Sequence, residues 1–393
     1  MSFLPLCHVF ERATYFAYIY KGLSIHFTAI DNLGGEEGDL RKVQPHFLTC
    51  VPRLLEKIYA KIYQKGSELS GLKKKLFFWA LELTTDFEYD RNYSGLEKLK
   101  RSIADKLIFS KWREALGGNV IGIITGSAPC PDRILQVFSA AGIPVREAYG
   151  LTESSPALTI NTFEPGGALL GTVGPAIFNV ELQIDEKSEY KDGEGEILAA
   201  GPNIMMGYYN NPEATKEVLV HRGGKIWLRT GDIGKLLTNS KGVEFLKITD
   251  RLKELLKTSA GKYVAPAPIE GKLKEEFLIE QAIIIGDRRK FVSALLLPSE
   301  EALQNYFIEH KIKWAGFDAA ISNNKVREVF DEIVRKINAP LARHEQIKKY
   351  TLVADNWTAI NPDGTAGMLT PTLKLKRRVI LEKYNNQIDA LYV

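Results

Sequence analysis

The pattern that most restricts this fold lies between residues 120 and 150. Residues 120–125 form a short apolar run that stops at Gly126, which predicts a buried strand opening into a turn. A helical stretch over 131–141 follows, and residues 144–148 form a second strand running into Tyr149 and Gly150. Strand, turn, helix, strand is the alternation of an α/β domain, whose ligands sit beyond the carboxyl ends of the strands. The loops at 125–129 and 149–153 are therefore the first places to look for chemistry.

The flanking segments fill in the architecture. Residues 52–116 predict mostly helix, with Leu54, Leu55, Ile58 and Ile62 at three-to-four spacing and a polar loop over 86–94. Between 166 and 242 glycine is frequent and apolar runs are short, as at 196–200, which predicts a compact β-rich subdomain. Beyond Asp250 come strands at 282–286 and 292–297 and a long amphipathic helix with Val326, Val329, Phe330, Ile333 and Ile337 on one face. The boundary falls near 251–253, giving domains 1–252 and 253–393. The expected fold class is α/β: a large domain of sheet layers with a β-rich subdomain, then a small α+β domain.

Composition narrows the function. A net charge of +4 over 393 residues, with no basic stretch interleaved by aromatics, argues against a nucleic-acid partner. Cys7, Cys50 and Cys130 are far apart and lack metal-site or disulfide spacing, which suits a reducing compartment. No apolar run approaches the roughly 18–20 residues of a membrane span, and the start lacks signal-peptide grammar. A cytoplasmic protein is expected, at most peripheral to the inner face of a membrane.

The residues that can carry chemistry cluster at strand ends and turns. In Thr125-Gly126-Ser127-Ala128-Pro129 small residues let a flat ligand lie against backbone, though a plain tight turn has the same look. In Tyr149-Gly150-Leu151-Thr152-Glu153 a ring can stack on a base, a hydroxyl can meet a phosphate, and a carboxylate can hold Mg²⁺. Gly195-Glu196-Ile197, Gly201-Pro202-Asn203 and Gly207-Tyr208-Tyr209-Asn210-Asn211-Pro212 follow, then Trp227 and Thr230-Gly231-Asp232. Asp232 is either an Asx-turn former or an acceptor for two ribose hydroxyls. Asp250-Arg251-Leu252-Lys253-Glu254, Gly261, Tyr263 and Pro371-Thr372-Leu373-Lys374-Leu375-Lys376-Arg377 complete the set, although lysines in such tails are mostly solvated.

In this order the motifs resemble the adenylate-forming superfamily of acyl-CoA synthetases, luciferases and peptide-synthetase adenylation domains, over essentially the whole chain. Phe3-Leu4-Pro5-Leu6-Cys7-His8-Val9-Phe10-Glu11-Arg12, Val51-Pro52-Arg53-Leu54, Leu116-Gly117-Gly118 and Leu369-Thr370-Pro371-Thr372-Leu373-Lys374 look like its long-chain fatty acid:CoA ligase branch. The resemblance implies ATP, Mg²⁺ and coenzyme A as reactants and cofactor, with a long-chain fatty acid as the acid activated. A carrier-protein thiol is the alternative acceptor, and a non-catalytic acyl-nucleotide-binding remnant the alternative class.

Carried over by position, Gly126, Ser127 and Ala128 would line the adenine pocket beside Tyr149 and Gly150. Thr152 would contact the α-phosphate, and Glu153 would hold Mg²⁺. Asp232 would accept the ribose hydroxyls with help from Arg251. His8 would stand at the junction of acyl and pantetheine channels. Lys253 would be the hinge, and Gly261 would lie in the pantetheine loop. Lys374 would be the catalytic lysine, with Lys376 the neighbour it could be confused with. The family's phosphate loop precedes the Leu4-Pro5-Leu6-Cys7-His8 segment, on which Met1 almost begins. The chain is accordingly expected to be a fragment impaired in adenylation.

Overall fold

A computed structural model describes residues 1–35, 37–186, 193–252, 254–361, 363–370 and 374–393. It divides the chain into two compact units, Met1–Ile248 and Thr249–Val393.

The first unit is built on two sheets. In one, β1 (Phe47–Cys50), β2 (Gly122–Thr125) and β3 (Val145–Gly150) run parallel, and β4 (Ala157–Ile160) pairs antiparallel with β3. Strand β2 and the helix Asp132–Ala140 lie within two residues of their expected positions. Strand β1 gave no signal, because four residues reading Phe-Leu-Thr-Cys are too short to show a period. Leu48, Cys50, Ile123 and Val145 of the strands pack with Leu135 and Phe138 of that helix and Leu55 of the helix Pro52–Ser67. The expected helical stretch resolves into Pro52–Ser67, Gly71–Glu82 and Gly95–Ala104, then a π-helical turn, Asp105–Phe109, that runs into Ser110–Ala115. Pro52 starts its helix where a missing N–H costs nothing.

The second sheet holds β5 (Glu181–Glu186), β6 (Gly195–Ala200), β7 (Leu219–Arg222), β8 (Lys225–Thr238) and β9 (Glu244–Arg251). Its order is β5-β6-β8-β7, with β9 also on β8. The β7–β8 hairpin turns on Gly223 and Gly224, with φ of 56° and 76°, values that glycine adopts without steric cost. Strand β6 is buried along its whole length, as its central place requires.

The Thr249–Val393 unit has a short hairpin, β10 (Leu256–Lys257) with β11 (Tyr263–Val264). Its main sheet comprises β12 (Ile279–Ile285), β13 (Val292–Pro298) and β14 (Ile347–Leu352), the first pair antiparallel and the second parallel. Both faces of β12 and β13 are covered. Ala282, Ile284, Ala294 and Leu296 face the helices Pro266–Lys274 and Asn324–Asn338, while Ile283, Leu295 and Leu297 pack with Trp357, Ile380 and Tyr384. Burial on both faces is why these strands read as unbroken apolar runs and were visible in the sequence. Among the described residues no helix is long and apolar enough to cross a membrane.

Phe330 is wholly buried between the helix Asn324–Asn338 and this sheet. Phe330→Ala is expected to destabilise the unit by about 3–5 kcal/mol. Denaturant titration followed by intrinsic tryptophan fluorescence measures this, and a loss below about 1 kcal/mol would contradict the packing described.

Candidate active site

At the carboxyl end of β2 the chain turns through Gly126, Ser127 and Ala128. Ser127 takes φ of 70°, a left-handed conformation uncommon outside glycine. A Cβ on Gly126 would come 3.0 Å from the Ala148 carbonyl oxygen and 3.7 Å from the Phe10 ring, so the turn lies hard against the end of β3. Phe10 belongs to the helix Val9–Tyr20. His8 caps that helix, its Nδ1 accepting from the Phe10 N–H at 3.3 Å. The helix is fixed to β1 through Glu11, a buried carboxylate that accepts from Ser2 Oγ and Thr49 Oγ1, each at 2.5 Å. Burial raises the Glu11 pKa.

Strand β3 delivers Tyr149 to the same end. Its phenol donates to Asp232 Oδ2 at 2.6 Å, joining the first sheet to the second. Asp232 reaches that position because β8 bulges against β6. Glu196 pairs with Ile233 and Leu198 with Arg229, leaving Thr230, Gly231 and Asp232 opposite a single residue. The bulge is pinned on several sides. Thr230 Oγ1 donates to the Ile197 carbonyl at 2.9 Å, Gly231 N–H to Glu196 Oε1 at 3.3 Å, and Asp232 N–H to Thr230 Oγ1 at 3.1 Å. Arg229 pairs with the buried Glu196 carboxylate. Gly231 has φ of 72°, the conformation a bulge glycine supplies.

Beyond β3, Gly150 passes so close to β4 that an added Cβ would sit 1.8 Å from the Pro156 carbonyl oxygen. The chain then makes a 3₁₀ turn, Thr152–Ser154. Asn203 Nδ2 bridges the Ser154 and Ala157 carbonyls at 2.9 and 2.8 Å, and Met205 N–H donates to the Glu153 carbonyl at 2.8 Å. Tyr208 donates its phenol to Glu153 Oε1 at 2.8 Å. Burial and then the neighbouring carboxylate push the Tyr208 phenol up to about 12, so it remains a donor. Glu153 is half-buried and held by its partner rather than swinging in solvent.

These residues suit a divalent cation in one particular way. Among the described residues no three His, Cys, Asp or Glu side chains gather into a ready-made cage. A single oriented carboxylate fits Mg²⁺, which commonly takes one or two carboxylates and completes its octahedron with phosphate oxygens and water.

In the Thr249–Val393 unit, Arg251 is more than half exposed and lies 3.7 Å from Glu254. Asp250 beside it is buried, and burial pushes its carboxyl up to about 7, reinforced by Glu254 and Glu270 and opposed by Arg377. Gly261 turns the β10–β11 hairpin with φ of 76°. Lys374 closes a turn with Thr370: its N–H donates to Thr370 Oγ1 at 3.0 Å, and the Thr370 N–H donates to its carbonyl at 2.8 Å. Lys376 is committed elsewhere, donating its ammonium to the Gly367 carbonyl at 3.0 Å. Lys253 lies outside the described residues.

Thus Gly126, Ser127, Ala128, Tyr149 and Asp232 share one strand-end region of the Met1–Ile248 unit, and Glu153 follows on the adjoining turn. Sequence reading gave no role to Tyr208, Asn203 or Glu196, which hold Glu153, its turn and the Asp232 bulge. Each nevertheless stands inside a motif singled out for its glycines.

Comparison with known proteins gives the following. Residues 1–209 match the family of AMP-binding enzymes, and residues 253–393 match the AMP-binding enzyme C-terminal domain. The long-chain-fatty-acid–CoA ligase FadD15 of Mycobacterium bovis is 33% identical over 399 residues, covering all of this chain and 62% of that protein. The long-chain-fatty-acid–CoA ligase 5 of Rattus norvegicus is 33% identical over 407 residues, covering all of this chain and 55% of that one. The chain therefore spans little more than half the length of such relatives. Among solved structures, the adenylation domain of a Mycobacterium chelonae carboxylate reductase superposes with a TM-score of 0.70 at 22% identity, over all of this chain and 53% of that one. A Bacillus subtilis o-succinylbenzoate CoA synthetase bound to its acyl-adenylate gives 0.59 at 18% identity, over 97% and 60% of the two chains. At such identities these likenesses speak to the fold alone.

One acid beside the site has a consequence for stability. Glu147 pairs in register with Thr125, accepts from the Cys130 N–H at 3.3 Å and is 7% exposed. Burial pushes its carboxyl from 4.5 up to about 8. Between those values the unfolded chain has released this proton and the folded chain keeps it, so stability contributed here falls as pH rises, by up to about 1.4 kcal/mol per unit. Glu147→Gln keeps an acceptor and cannot ionise. Its stability relative to the unsubstituted chain is expected to improve steadily from pH 5 to pH 8, read from denaturation midpoints. A pH-independent difference would refute the assignment.

Proposed function

This chain belongs to the family of AMP-binding enzymes, and from that premise we propose that it serves the ATP-dependent activation of a long-chain fatty acid and its transfer to coenzyme A. A carboxylate is a poor acylating agent because its leaving group would be oxide. In the proposed first step a carboxylate oxygen attacks the α-phosphorus of ATP, the bond to pyrophosphate breaks, and acyl-AMP forms. In the second the thiol of coenzyme A, giving up its proton, attacks the acyl carbon and AMP leaves.

The observation that carries this reading is the strand-end arrangement in which a backbone turn, Tyr149, Asp232 and Glu153 follow one another. The turn at Gly126, Ser127 and Ala128 gives a flat base a side-chain-poor wall. Tyr149, with Gly150 behind it, covers the base, and the Asp232 carboxylate accepts from the ribose hydroxyls. Thr152 bonds the α-phosphate. Glu153, held by Tyr208, would hold Mg²⁺, which supplies positive charge to the phosphate oxygens. Lys374 supplies a cation for the charge that accumulates in the first step, with its neighbour Lys376 occupied by a backbone carbonyl. Arg251 assists at the ribose, His8 stands where acyl and thiol channels meet, and Gly261 lines the approach of the pantetheine thiol. Lys253 serves as the hinge between the domains 1–252 and 253–393. The long-chain acid is favoured because the named relatives above are ligases for such acids. We place the protein in the cytoplasm, at most peripheral to the inner face of a membrane.

The test separates the two steps. Fatty-acid-dependent exchange of labelled pyrophosphate into ATP reads the first, and palmitoyl-CoA formation from preformed palmitoyl-AMP reads the second. Made in a version extended to the length of the relatives named above, Lys374→Ala is expected to lower exchange by about 10²-fold or more while changing the second step only severalfold. Equal losses in both would remove Lys374 from the first step. Exchange that ignores fatty acid would remove the function proposed.

A further inference from the structure

The helical run from Gly95 through the π-helical turn to Ala115 is apolar on two sides. One side is core. Ala104, Ile108, Phe109 and Trp112 are buried, and the Trp112 ring lies 5.2 Å from that of Phe109 and 5.8 Å from that of Phe77. The other side points outward with Leu96, Leu99, Ile103 and Leu107, which are 76%, 57%, 42% and 42% exposed. Steps of three, four and four residues set these side chains in one line, about 16 Å long. The wider winding of Asp105–Phe109 keeps Leu107 in line with Ile103 while it returns Ile108 and Phe109 to the core. One apolar face is enough to hold a surface helix, so the outward line does nothing for the fold.

Cations border that line. Lys98, Lys100, Lys106 and Lys111 are all exposed. By helical spacing Lys100 and Lys106 stand on either side of the stripe, and Lys111 follows one turn beyond Leu107. Of the acids on the same run, Glu97 pairs with Arg91 and Arg101, and Asp105 with Arg113, which leaves Glu114 in the last turn. The run is anchored where it meets the rest of the unit. Arg101 lies over the Tyr93 ring, 3.6 Å from its centroid, and Arg113 donates to the Ala141 carbonyl at 2.7 Å. The stripe is therefore presented by a helix already formed. Its lysines decide what can cover it. Protein interfaces are depleted of lysine, and a second copy laid on the stripe would set its own lysines against these. A bilayer accommodates both kinds of side chain: leucines enter the acyl boundary, and lysine stems lie along it with their ammonium groups at the lipid phosphates.

We propose that the stripe of Leu96, Leu99, Ile103 and Leu107, bordered by Lys100, Lys106 and Lys111, docks this protein on a bilayer that carries anionic lipid. The helix lies along the surface and does not cross it. The proposal gives a physical surface to the peripheral placement above, and it holds or fails independently of the ligase reading.

Co-sedimentation with large vesicles tests this, on the full chain and on a version extended to the length of the relatives named above. Both are expected to bind vesicles of equal parts phosphatidylcholine and phosphatidylglycerol about tenfold more tightly than vesicles of phosphatidylcholine alone, with added salt removing the difference. The double variant Leu99→Gln, Ile103→Gln is expected to weaken binding about tenfold or more, and Lys100→Glu, Lys106→Glu to erase the preference for the anionic vesicles. All four positions are exposed, so denaturation midpoints are expected to stay unchanged, which shows both variants folded. Vesicle binding that neither variant alters would overturn the proposal. So would binding by this chain but not by the extended version, which would mean that polypeptide covers the stripe. A dimer that Leu99→Gln, Ile103→Gln splits, with no vesicle binding, would overturn it in favour of a second copy. The measurement needs neither ATP nor coenzyme A, so its failure and a failure of pyrophosphate exchange are read separately.

Discussion

The hydrogen bond from Tyr149 to Asp232 is the contact on which the arrangement in the first unit depends. Tyr149 stands at the carboxyl end of a parallel strand, and Asp232 on a bulge in a separate antiparallel sheet. Neither strand alone brings these two side chains together. A charge-assisted bond at 2.6 Å between a phenol and a carboxylate that is 5% exposed is worth more than one in water and fixes the spacing of the two sheet ends. The Glu196 carboxylate performs the same service one layer behind. It takes the Gly231 N–H and pairs with Arg229, so the bulge presents Asp232 rather than relaxing into a regular ladder.

This explains which parts of the molecule could be read from sequence. Strands β12 and β13 and the helix Asn324–Asn338 announce themselves because burial imposes a period or an unbroken apolar run. Strand β2 and the helix Asp132–Ala140 do so for the same reason. Strand β14 does not. Its sequence, Ile-Lys-Lys-Tyr-Thr-Leu, is buried only at its ends, because it lies at the sheet edge and turns its middle to solvent. Strand β8 is fourteen residues long and hides its length because the bulge interrupts the alternation at Thr230 to Asp232.

The site was legible differently. Nothing periodic marks Gly126, Tyr149, Glu153 or Asp232, and each had an ordinary structural explanation when taken alone. Their order along the chain is what singles them out as candidates. The partners that hold them were beyond that kind of reading, since Tyr208 meets Glu153 across 55 residues and Asn203 meets Ser154 across 49. Such pairings arise from the path of the chain between sheets, which no local pattern encodes.

A common device underlies the turn after β2 and the loops at one end of the β12–β14 sheet. In each, loops at strand ends are positioned mainly through backbone groups. The Ser259–Arg289 and Arg288–Lys257 bonds fix the β10–β11 and β12–β13 turns to each other, and the close approach of Gly126 to the Ala148 carbonyl fixes the turn after β2. Backbone bonding satisfies the N–H and carbonyl groups that a loop would otherwise expose. Side chains add to this near the same turns: Asn203 holds the Ser154 carbonyl, Glu196 the Gly231 N–H, and Arg289 pairs with Asp389.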